Sequence, residues 1–195
     1  MRLVSETTPW RHIVGVSMSR ALSSVSVFRA RGEFCPTKSP VLVCQCTSIE
    51  RMSRLPKDMA RDVGLIAEMQ ELVLDRTVIG ESGAAFFKRL VSPMSSFVSV
   101  EIVNTDSDKS GAIPRSVLVN EMVAAISGGT DAEPIEVSFS RDIPDAAALM
   151  AEIKAAPDTE EHSDLFVAIA LAVWRARKIR KRIERSDMPP PKVRF

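Results

Sequence analysis

Residues 161–178, EHSDLFVAIALAVWRARK, decide how the rest of the chain is read. Ser163 offers a hydroxyl where a helix N-cap is favoured, and Asp164 opens a helix expected to run to about Arg185. Its apolar run, Leu165 to Trp174, is the longest in the chain, yet it falls well short of the ~20 residues that span a bilayer. A basic stretch ends it, so no membrane insertion is expected.

Upstream lies the material for a sheet. His12 to Met18 is a short apolar run, and Ser23 to Arg31 sets Val25, Val27 and Phe28 among small or polar residues. After the turn-rich stretch Gly32 to Pro40, VLVCQCTSI is β-branched, which predicts a three-strand meander. Pro56 then introduces KDMARDVGLIAEMQELVL. Its Met59, Val63, Ile66, Met69 and Leu72 recur at steps of three and four and predict one amphipathic helix. Thr77 to Gly80 predicts a short strand, Ser82 a cap for the helix AAFFKRLV, and Val98 to Asn104 another strand. Pro114 starts the helix RSVLVNEMVAAI, which the pair Gly128 and Gly129 stops; IEVSFS is a strand, and Pro144 opens DAAALMAEIKA. The expected architecture is α/β, a mixed sheet flanked by helices. One domain over residues 1–186 is expected, with an extended Pro-rich tail at 187–195.

Composition agrees with a single folded domain. Of 195 residues, 45% are apolar and 26% charged, which excludes a disordered or low-complexity chain. The net charge of +1 excludes a uniformly basic nucleic-acid binder, but the charge is divided locally. Ten acids stand against Arg141 and Lys154 between Asp131 and Asp164, and nine bases against Glu184 and Asp187 between Arg175 and Arg194. Arg175, Arg177, Lys178, Arg180, Lys181, Arg182 and Arg185 are therefore candidate phosphate contacts; the competing readings are a solvated helix end and ion pairing with the acidic segment. Cys35, Cys44 and Cys46 form no CxxC pair, and only His12 and His162 could support them, which argues against a disulfide scaffold or structural zinc. Cys44 and Cys46 share one strand face as small core hydrophobes. The first fifty residues are rich in Ser and Arg, a bias shared with organellar transit peptides, although the strands within them make them part of the fold.

The segment EHSDLFVAIALAVW resembles the closing motif of the phage terminase large-subunit nuclease domain, HDDLvxAlAlA followed by Trp. Upstream, IPRSVLVNEMVAAI resembles that family's vPkxxLv helix and DAAALMAEIKA its aaxLxxEL helix. Earlier still, RLPKDMARDVGLIAEM, TVIGESGAAFFKRL and HIVGVSMSRALSSVSVF resemble RLPxxTPYpxiv, lvvDatGvGxxvvdlL and yvvGvDlGxxxDxtalav, so the likeness covers about His12 to Lys178. It implies a ribonuclease H-like fold in which carboxylates on the first strand, the fourth strand and a late helix hold paired divalent metals for DNA cleavage during packaging.

Placed on these motifs, the first-strand acid falls on Ser17, the fourth-strand acid on Gly80 beside Glu81, and the paired helix acids on Ser163 and Asp164. A hydroxyl and a glycine are poor substitutes for carboxylates. The resemblance therefore implies a domain of phage or prophage origin with a degenerate centre. It would serve in packaging as a DNA- or protein-binding module, with no cofactor, in a phage or bacterial cytoplasm; organellar import stays open. GEFCPTKS, Gly32 to Ser39, lacks the second glycine of a Walker A loop, so no nucleotide binding is expected. One alternative is an active magnesium- or manganese-dependent endonuclease with relocated acids, drawn from Glu81, Glu101, Asp106 and Asp164. Another is a structural subunit of a larger assembly.

Overall fold

A computed structural model describes residues 6–18, 23–35, 38–52, 56–66, 69–91, 96–104, 111–143, 149, 151, 153 and 164–185. In chain order the strands and helices are β1 (Glu6–Thr7), β2 (Arg11–Met18), β3 (Ser23–Cys35), β4 (Lys38–Met52), α1 (Pro56–Gly64), β5 (Met69–Asp75), α2 (Gly80–Leu90), β6 (Ser96–Val103), β7 (Ala112–Pro114), α3 (Arg115–Ile126), β8 (Ile135–Phe139), α4 (Asp164–Lys178) and α5 (Arg180–Arg185).

The sheet runs β7-β6-β5-β2-β3-β4-β8, with β1 paired to β3. β2, β3 and β4 form an antiparallel meander; β5 pairs parallel to the far side of β2, and β6 parallel to β5. The mixed sheet flanked by helices matches the α/β expectation, and its central run β4-β3-β2-β5-β6 is compatible with a ribonuclease H-like fold.

Alternation sorts side chains to the two faces. Ile13, Phe28, Ala30, Cys44, Cys46 and Val73 pack against α3 and α4, whereas Val14, Val16, Val25, Leu72 and Leu74 pack against α1 and α2. Both faces of β5 are covered, as parallel strands require.

Four sequence expectations differ from the observed elements. The predicted helix from Lys57 to Leu74 ends at Gly64, and its second half is strand β5. Thr77 to Gly80 is not a strand but a turn leading into α2, which starts at Gly80, ahead of Ser82, and has no side-chain cap. The last helix breaks at Ile179 into α4 and α5. Gly32 to Cys35 and Lys38 to Ser39 lie in the paired strands β3 and β4. Most of DAAALMAEIKA and the tail 187–195 lie outside the described residues. No described helix is long and apolar enough to cross a membrane.

Candidate active site

The parallel register that aligns Val16 with Leu74 brings Ser17 and Asp75 side by side at the C-terminal ends of β2 and β5. Both are buried. Ser17 Oγ lies 3.5 Å from Asp75 Oδ2, at the outer limit of a hydrogen bond. Asp75 Oδ1 accepts hydrogen bonds from the Thr77 amide at 2.9 Å and the Thr77 hydroxyl at 2.5 Å. Thr77 Oγ1 in turn accepts from the Ile102 amide at 2.8 Å, which ties the turn after β5 to β6. Ser24 is the antiparallel partner of Ser17, so the two hydroxyls share a face; Ser24 Oγ is buried without a hydrogen-bond partner.

Helix α4 crosses this face. Gly15 lets it approach so closely that a Cβ there would lie 2.0 Å from the Ala168 carbonyl oxygen, and that oxygen accepts a 2.8 Å hydrogen bond from Ser26 Oγ. Farther along, Arg175 reaches Glu71 on β5, whose register partner on β2 is Ile13. The helix therefore runs antiparallel to β2. Asp164 precedes Ala168 by one turn, ~6 Å at 1.5 Å per residue, and Ser17 lies ~6.6 Å beyond Gly15 at 3.3 Å per residue. The start of α4 thus reaches the level of Ser17 and Asp75. The acid at the end of the fourth meander-plus-parallel strand is Asp75, and Gly80, expected there, begins α2 instead at φ 65°.

Two of the replacement acids, Glu81 and Glu101, do not converge on Asp75, and the side chain of Asp164 lies outside the described residues. Glu81 is exposed and pairs with Arg76 at 2.9 Å, and Glu101 lies 4.0 Å from the same guanidinium. Val100, the register partner of Asp75, faces α3 and α4, so Glu101 points to the opposite face. Ser163, His162 and Asp106 lie outside the described residues. Among the described residues no group of three or more His, Cys, Asp or Glu is arranged to hold a metal. Among the described side chains at this sheet end, Ser17 supplies a neutral hydroxyl and Asp75 the one carboxylate, and these two by themselves do not fit a pair of divalent cations.

The basic helix is largely bound into the fold. Glu71 is 0% exposed and takes Arg175 at 2.8 Å, Arg182 at 3.3 Å and Arg11 at 3.4 Å. Arg177 pairs with Glu121 and lies 3.7 Å from Glu133, which belongs to the acidic segment. Arg180 is buried and donates to the carbonyls of Pro134, at 3.2 Å, and Pro40, so it joins β4 to the loop before β8. Lys178 and Lys181 are exposed, with the Lys178 ammonium 5.9 Å from the Trp174 ring centre. The side chain of Arg185 lies outside the described residues.

Two residues that the sequence reading passed over organise this region, Asp75 and Glu71. A signal for Asp75 was present in LVLD, three buried apolar residues closing on an acid before a turn. No family model matches the chain, and no curated protein matches it.

Proposed function

We propose that the chain is a terminase-nuclease-like domain of phage or prophage origin that acts in DNA packaging as a binding module and does not cleave DNA. The observation that carries this reading is Ser17, a buried hydroxyl directed at Asp75 where the resembled family holds a first metal-binding acid. Without that acid the charge of two metals is not offset at the sheet end. A protein component of packaging is the better partner than a phosphate backbone, because Arg175, Arg177, Arg180 and Arg182 are already engaged by Glu71, Glu121, Glu133 and backbone carbonyls.

The retained Asp75, with α4 starting at the same level, favours a second reading, a metal-dependent DNA endonuclease with relocated acids. Incubation of purified protein with plasmid and linear duplex in magnesium or manganese separates the two. No cleavage is expected. Cleavage that disappears in Asp75→Asn, with the fold intact by circular dichroism, would establish the nuclease instead.

A further inference from the structure

Among the described residues, exposed apolar side chains group into two patches, one on each side of the sheet, with Val78 exposed apart from them. On the α1–α2 side, Phe86 and Leu90 are one helical turn apart on α2 and are 47% and 43% exposed. Gly64 lies against the Leu90 carbonyl, which brings Leu65, 76% exposed, to the same helix end. Arg61, Lys88 and Arg89 are exposed around these residues. On the α3–α4 side, Val123 and Ile126 are exposed on α3, and the loop that follows the helix carries exposed Asp131 and Glu133. Arg177 offsets only part of that acidic charge, since it also pairs with Glu121.

Each patch is therefore an apolar centre with an unbalanced charged rim: Arg61, Lys88 and Arg89 outnumber Asp62 at the first, and Glu121, Asp131 and Glu133 outnumber Arg177 and Lys178 at the second. We propose that copies of this chain associate head to tail, with the α2 patch of one copy seated on the α3 patch of the next. Apolar contact supplies attraction and the rims select the orientation, because like patches would bring like charges together. The interface is heterologous: after one contact the pair still carries one free patch of each kind, one on each copy, so the association repeats. This inference does not depend on the packaging reading.

The test uses the full chain in sedimentation equilibrium over a wide concentration range at low and high salt. Wild type is expected to show a mass that rises with concentration and association that weakens with salt. Phe86→Glu with Leu90→Glu, and separately Val123→Glu with Ile126→Glu, should each weaken self-association at least about tenfold. Circular dichroism verifies that both variants fold. Mixed together, the two variants should form a one-to-one dimer that does not grow, since one intact patch of each kind remains in the mixture. A wild type that is monomeric throughout, or variants whose mixture stays monomeric, would overturn the proposal; so would association that either double variant leaves unchanged.

Discussion

Gly15 on β2 and Ala168 on α4 touch backbone to backbone, and a Cβ at Gly15 would come within 2.0 Å of the Ala168 oxygen. Gly15→Ala must lift α4 from the sheet or distort both, so urea unfolding should show a loss of about 3 kcal/mol. Gly80→Ala meets no atom within 4 Å and carries only the strain of φ 65°, for which about 1–2 kcal/mol is expected.

Glu71 is a fully buried carboxylate that anchors cations from β2, α4 and α5. Glu71→Gln removes the charge and leaves Arg175 close to uncompensated. Breaking a buried pair from one side costs about 3–5 kcal/mol, and unfolding at low and high salt should show nearly the same loss.

Ser17→Asp places a second carboxylate against Asp75. Like charges at that distance disfavour the folded state when no cation lies between them. Thermal unfolding of this variant should occur at a lower temperature in EDTA and recover on addition of manganese. Wild type should move in neither condition.

Of the seven cations near the C-terminal helices, Lys178, Lys181 and the outer part of Arg182 face water among the described side chains. Contacts to duplex DNA made by these three should therefore contribute a log-affinity slope against log salt of no more than about −3, at −0.9 per phosphate. Titration of a labelled duplex at several salt concentrations measures the slope, and Lys178→Glu with Lys181→Glu should flatten it.

Burial raises the thiols of Cys44 and Cys46 from 9.0 to about 12. The folded state therefore holds protons that the unfolded chain releases first. Stability is fully present below pH 9.0 and falls as the pH rises from there toward about 12. In a Cys35→Ser background, thiol reagents at pH 8 should label neither cysteine until the chain unfolds.

The meander and the helical layers were legible because they rest on apolar strand patterns and on helical periodicity, whereas the approach of α4 to the sheet end was expected only from the family resemblance. The segment after Pro56 was not. Met59, Val63, Ile66, Met69 and Leu72 fit a helix, yet a strand covered on both faces is apolar at nearly every position and carries no period of its own. Gly64 was the stop that distinguishes the two. Missing it carried the fourth strand past its true end, so that Gly80 stood where Asp75 does. Glu71 was illegible for another reason: a glutamate in a sequence reads as surface, and only the fold gathers three arginines around it.

Helix α4 is also among the last elements to be synthesised. The ribosome delivers Ile13, Phe28, Ala30, Cys44 and Val73 long before Asp164–Lys178, the segment that covers them. During synthesis the meander can pair and dock α1 and α2, while its other face stays greasy and bare. Closure then waits for contacts as distant in sequence as Ser26 and Ala168, the kind that slow folding and invite aggregation. The nascent chain is thus most in need of chaperone shielding after α2 has formed and before α4 emerges.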